Sequence, residues 1–121
     1  MAFLSDEVLD QGLDYLDTNG TRLDICSQEP TTYAEATSTY TLGNATVNTG
    51  ATQNGDTSGR KVTIPSISSG SVTGTGTASH WALTDGSAEL LATGALGSSQ
   101  SVTSGNTFTL TAIDIEIPDP A

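Results

Sequence analysis

Leu9, Leu13 and Leu16 recur at i, i+4 and i+7, the spacing that lines one face of an α-helix, and Tyr15 beside them widens the stripe. Ser5 supplies an N-cap in front of Asp6 and Glu7, which stand at the positive end of the helix dipole. Leu4 and Leu9 have the separation of a hydrophobic staple. Asn19-Gly20 ends the pattern, with the glycine expected in the left-handed C′ conformation. The period then drops to two. In "TRLDICS", Leu23 and Ile25 fall on one face of a strand, and Arg22, Asp24 and Cys26 on the other.

Residues 28–59 carry few large apolar side chains and many turn formers, which predicts a long loop region. Within it, "TYTLGNATV" predicts a short hairpin around Gly43-Asn44, with Tyr40, Leu42 and Val47 as contacts. The strand signal returns at residue 60. "RKVTIPSI" alternates Val62 and Ile64 up to Pro65, which confines the strand to an edge or ends it. "SVTGTGTASHWALT" predicts one long strand, bent or bulged at Gly74 and Gly76, with Trp81 and Leu83 on its core face. "TDGSA" predicts a hairpin turn into "ELLATGAL", and "TSGNT" a turn from "QSV" into "FTLTAIDIEI". In that last run Phe108 and Leu110 share one parity and Ile113, Ile115 and Ile117 the other, so a bulge is expected near Ala112.

Short strands separated by glycine turns, without alternating helices, predict one mainly β domain over residues 1–121. The expected architecture is an antiparallel β-sandwich or small barrel with one short N-terminal α-helix. It divides into a helical arm at 1–20, the loop region at 28–59 and a main β region at 60–121.

Composition adds a constraint. Leu, Ile, Val and Phe together supply 24 of 121 residues, against 21 for Thr alone. Threonine suits a half-exposed pleated surface. A core this thin, however, only narrowly offsets the roughly 1.5 kcal/mol per residue that ordering the chain costs. Cys26 is a single cysteine, so no disulfide framework supplements the core. The missing stability is expected from self-association or from docking on a larger body. Net charge is −11, with Arg22, Arg60 and Lys61 as the basic residues, which argues against nucleic acid and anionic membranes as partners. "MAFLSDEVLD" has no basic n-region, and no run approaches the ~18 apolar residues of a membrane span. Synthesis in a cytoplasm, without a leader, is the expectation.

Candidate chemistry concentrates in "GTGTASHWALTDGSAELLATGAL" at 74–96, which holds the single histidine and the single tryptophan side by side. Ser79, His80 and Asp85 are the ingredients of a nucleophilic triad. Alternation along a strand sends Ser79 and His80 to opposite faces, and no GxSxG elbow is present. The expectation is a surface or interface histidine and no catalytic residue. His80 and Cys26, 54 positions apart, make no zinc site, and Cys26 reads as a small unreactive filler. "NGD" at 54–56 and "DIE" at 114–116 offer oxygen ligands without spelling a calcium loop. No cofactor and no metal are expected.

The run "SGRKVTIPSI…GTASHWALTDGSAELLATGAL…QSVTSGNTFTLTAIDIEIPDP", with the opening "LDQGLDYLDTNGTRLDICSQEPTTYAEA", resembles small β-rich accessory structural proteins of tailed-bacteriophage virions. The resemblance rests on packing and turn motifs over most of the chain. It implies a non-enzymatic virion component, foremost a capsid decoration (cement) subunit stabilising the head lattice. The implied partners are the major capsid protein or other virion proteins, and further copies of the chain in a homo-oligomer, a trimer on local threefold sites. Leu4, Leu9, Leu13, Leu16, Tyr33, Tyr40 and Leu42 are the candidate interface residues, drawn from the helix and the 31–59 loop. The alternative is a collar, tail or fibre accessory protein that binds host glycans. That alternative needs an exposed Trp81, whereas a decoration subunit should bury it.

Overall fold

A computed structural model describes residues 5–56 and 58–117 and is mainly β, with 50% strand and 17% helix. Helix α1 spans Asp6–Asn19, and Ser5 Oγ accepts from the Val8 N–H as the N-cap requires. Leu9 and Leu13 are 2% exposed and Leu16 half-buried, so the leucine stripe faces the core. Tyr15 does not widen it. Its ring is 54% exposed and its hydroxyl donates to Glu89. Gly20 is also used differently than its place after the helix suggests, since its φ is −79°. Glycine is required there by closeness: a Cβ would lie 2.7 Å from Leu16 O and 2.8 Å from the Leu83 side chain. The staple partner Leu4 lies outside the described residues.

Strand β1 (Arg22–Cys26) is the centre of a six-stranded antiparallel sheet. On one side it pairs with β6 (Gly76–Thr84), which pairs with β7 (Leu90–Val102). On the other it pairs with β2 (Thr41–Thr46), followed by β5 (Ile67–Val72) and β8 (Thr107–Leu110). A second sheet sets β4 (Arg60–Ile64) between β3 (Gln53–Asn54) and β9 (Ile113–Ile117). Helix α1 packs on β4, where Arg60 pairs with Asp10 at 2.8 Å.

The large sheet is curled. Its two outermost strands, β7 and β8, are joined by residues 103–106 alone, so the ends of the sheet must approach one another. Gln100 Nε2 donates to Thr109 O across this seam at 2.8 Å. The "TSGNT" turn therefore forms, with Gly105 at φ +92°, but β8 pairs with β5 rather than with β7.

Four other expectations change. Gly43-Asn44 is no hairpin turn but the middle of β2, where a Cβ added at Gly43 would lie 2.6 Å from Ser71 O. Residues 28–59 are correspondingly not a plain loop: they hold a π-helical turn at Glu35–Thr39 as well as β2 and β3. The long "SVTGTGTASHWALT" strand is broken at 73–75 into β5 and β6, which sit apart in the sheet. Likewise, the parity change after Leu110 is no bulge. The chain leaves one sheet at 111–112 and enters the other, which keeps Phe108, Leu110, Ile113 and Ile115 against the core, while Ile117 is exposed.

Inside the curled sheet, Ile25, Leu42, Val72, Ala78, Val102 and Phe108 form one cluster. Leu23, Val47, Ile64, Trp81 and Leu83 form a second, closed over by Ile113 and Ile115 of the small sheet and by Leu16. The opposite face of β1 is buried too. Cys26, Ala36 and Ala82 pack together beneath the π-helical turn, and Asp24, fully buried, accepts two bonds from Arg22 and one from Thr41 Oγ1 at 2.7 Å.

Gly70 lies opposite Phe108, and an added Cβ would sit 2.3 Å from the ring. Gly70→Ala is expected to lower stability by about 1–3 kcal/mol, because a buried ring has no free volume to retreat into. Urea unfolding measures it, and an unchanged midpoint would refute the close approach.

Candidate functional site

The residues suggestive of a triad come together in a way that alternation does not predict. Ser79 sits at an irregularity in the β6–β7 ladder, where Ala78 pairs with Gln100 but His80 pairs with Ala95. The local twist of such a bulge brings Ser79 Oγ to 2.8 Å from His80 Nδ1, so the two are not on opposite faces. The Ser79 hydroxyl has a second partner within reach. Its Oγ lies 3.0 Å from Ser27 O, and with its proton on that carbonyl it accepts from His80 Nδ1–H. Asp85 is engaged elsewhere. Its Oδ1 accepts from the backbone N–H groups of Ser87, Ala88 and Glu89 at 2.8, 2.9 and 3.0 Å, capping the β6–β7 turn. Those bonds, the one from Glu89 foremost, hold its carboxyl below the usual aspartate range.

Cys26 is fully buried with Sγ 3.6 Å from Ala36 O, and desolvation, helped by the charge of Asp24, pushes its thiol up to about 12. Among the described residues no group of three or more His, Cys, Asp or Glu side chains could hold a metal ion.

The sequence-derived interface residues separate into two sets. Leu9, Leu13 and Leu42 are buried at 2%, 2% and 9%, and their contacts lie within the subunit. Leu16 packs half-buried on the second core cluster, and Tyr40 half-buried over Cys26 and Ala36. Tyr33 is half-buried, and Leu4 lies outside the described residues. What α1 offers to the outside is Val8 at 57% and Tyr15 at 54% exposure, seven residues apart on its outward face.

The outer margin of β7 is the most distinctive surface. Sequence reading missed it because it joins distant segments. Residues 90–95 pair with 80–84 of β6, with one extra residue at Leu91, and their other edge has no partner among the described residues. Residues 96–99 then loop away from the ladder. This bulge and the passage at 109–113 border an open groove of about 750 Å³ between β7 and β8. Its lining includes Trp81, Leu96, Leu110 and Ile113 with Ser66, Ser98, Gln100 and Thr111, and no charged side chain. Trp81 is 8% exposed. It lies against Gly94, where an added Cβ would come within 2.7 Å of Cε2, Cζ2 and Nε1 of the indole. Across residues 90–113 the sequence holds no Asp, Glu, Lys or Arg; all 17 such residues of the chain lie elsewhere.

Comparison with protein-family models, with curated proteins and with solved structures finds no match to this chain.

Because the Cys26 thiol is both buried and neutral, a maleimide or disulfide reagent should leave the native protein unlabelled at neutral pH and label it stoichiometrically in denaturant. Rapid native labelling would contradict the burial. Gly94→Ala should push the indole from its seat, costing about 1–3 kcal/mol and shifting tryptophan emission to longer wavelength. Emission identical to that of the parent protein would count against this packing.

Proposed function

We propose that this chain is a structural subunit of a bacteriophage virion, a decoration protein that stabilises the head lattice by associating with its own copies and with the capsid surface. The observation that carries the assembly part is the uncharged, unpaired margin of β7 at 90–95. A strand edge is a row of free N–H and C=O groups, and monomeric proteins blunt such edges with lysine, proline, inward charge or a bulge. Residues 90–95, "LLATGA", have no lysine, proline or charge, and beyond the extra residue at Leu91 the stretch 92–95 is regular. A neighbouring strand added there would extend the ladder from one subunit into the next, in the manner of β-augmentation.

Charge favours the same surface. At −11 net, two copies repel one another over most of their area, and least where charge is absent. The acidic remainder complements a basic patch on a capsid and orients docking. The exposed Val8 and Tyr15 of α1 give a second apolar contact. Burial of Trp81 supports decoration over an adhesin that stacks glycans on an open indole face. The virion assignment itself rests on the sequence resemblance.

The deciding experiment is the copy number per purified virion, by quantitative mass spectrometry scaled to the major capsid protein. Hundreds of copies in a simple ratio support decoration, and a dozen or fewer move the protein to the neck or tail. For the edge itself, Thr93→Lys with Ala95→Lys places two charges on the margin of β7, Ala95 being also a residue that borders the groove. This pair is expected to reduce the oligomer to monomer in light scattering, with far-ultraviolet circular dichroism showing the fold retained and a lower melting temperature from the lost association. An oligomer that persists in the double variant would remove β7 from the interface.

A further inference from the structure

We infer that the groove between β7 and the β8–β9 passage is a binding site for a neutral, hydroxyl-rich ligand of the size of one or two sugar units. The inference is separate from lattice assembly, because it rests on the groove and on one side chain within it. Trp81 is more than nine-tenths buried, yet its indole N–H donates to no acceptor among the described residues. Among the described residues no fully buried side-chain nitrogen or oxygen lacks a partner, so this N–H keeps some contact with solvent, and Trp81 is one of the residues that line the groove. A donor held by a packed core beside a cleft is available to an acceptor that enters it.

The rest of the lining selects the kind of acceptor. No charged side chain borders the groove, and the protein carries −11, so an anion finds neither a counter-charge nor a favourable field. Ser66, Ser98, Thr111 and Gln100, whose Nε2 is held by Thr109 O, line it together with Leu96, Leu110 and Ile113. Polar groups that donate and accept, set among apolar patches, match a sugar ring, whose rim carries hydroxyls and whose faces carry C–H groups. The volume of about 750 Å³ falls in the range of small-molecule clefts, roughly 300–1,000 Å³. Trp81 contributes here through its N–H edge, not as a stacking platform.

An extended peptide fits less well. Strand addition needs a regular edge, and this stretch offers a bulge at 96–99 on one side and the non-strand residues 111–112 on the other. In addition, Gln100 already occupies Thr109 O, the carbonyl of β8 that a visiting strand would use.

With one tryptophan in the chain, the indole N–H gives a single proton–nitrogen NMR signal. Maltose, N-acetylchitobiose and methyl β-galactoside are titrated into the labelled full chain at neutral pH, alongside glucuronate and an uncharged threonine-rich peptide. At least one neutral saccharide is expected to shift the indole signal and the amides of 95–100 and 109–113 saturably. Trp81→Phe, which removes the donor and keeps a ring, should weaken that ligand about fivefold, the worth of one hydrogen bond. Ser98→Phe, at an exposed position of the bulge, should abolish the amide shifts by filling the groove while leaving the core untouched. Absence of a saturable shift with every neutral saccharide would overturn the inference. So would binding of glucuronate or the peptide in their place, or binding undiminished in Ser98→Phe.

Discussion

Two-sided burial of β1 is the constraint from which the rest of the structure follows. Leu23 and Ile25 on one face are 0% exposed, and so are Asp24 and Cys26 on the other. A strand with one wet face would need a single covering layer; this one needs two. The curled sheet with its small companion sheet supplies the first. The second is thinner: the π-helical turn and its neighbours place Ala36 and Tyr40 over Cys26 and Ala82. Asp24 beneath that layer is a carboxylate removed from water, and such a group persists only when its acceptor sites are filled. Arg22 fills two through a forked contact at 2.8 and 3.0 Å, and Thr41 a third. Because Arg22 keeps 32% of its side chain exposed, the guanidinium stays partly hydrated while it neutralises the buried charge.

Glycine makes the curl sterically feasible. At Gly70 and Gly94 the missing Cβ is replaced by the aromatic ring from the adjacent strand, Phe108 in one case and Trp81 in the other. A chain with so few large apolar residues gains by this arrangement, since each ring covers backbone and fills the interior at once. The same economy leaves little to spare. The indole N–H of Trp81 has no acceptor among the described residues, and the seam between β7 and β8 is bridged by a side chain where a backbone ladder would otherwise close it.

How much of this was legible in the sequence depended on whether the signal was local. The Ser5 cap, the leucine stripe and the strand of Leu23 and Ile25 were readable because period and capping act within a few residues. The hairpin at Gly43-Asn44 failed because turn chemistry and close backbone approach both select glycine, and the second depends on Ser71, 28 positions away. The parity switch at 111–112 was visible, but its cause, transfer to a second sheet, requires knowing that β4 and β9 pair. The Ser79–His80 contact escaped the alternation rule because an irregularity in the ladder suspends that rule locally. The groove left no sequence signal at all, as residues 66, 81, 95–100 and 109–113 meet only through the curl.

The distribution of charge ties these features together. Each of the three basic residues is committed to acids of its own subunit: Arg22 to Asp24, Arg60 to Asp10, and Lys61 to Asp56 and Asp114. None is left as a free counter-charge with which one copy could attract the acids of another. The association proposed above would therefore proceed where electrostatic opposition is weakest. The segment 90–113 is that place: it is uncharged, it contains the open edge of β7, and it borders the groove. Its neutrality serves edge and groove by the same physics. A strand edge desolvates at little cost when no ion must shed its water, and an indole N–H competes for a neutral acceptor best where no nearby charge holds water in its place.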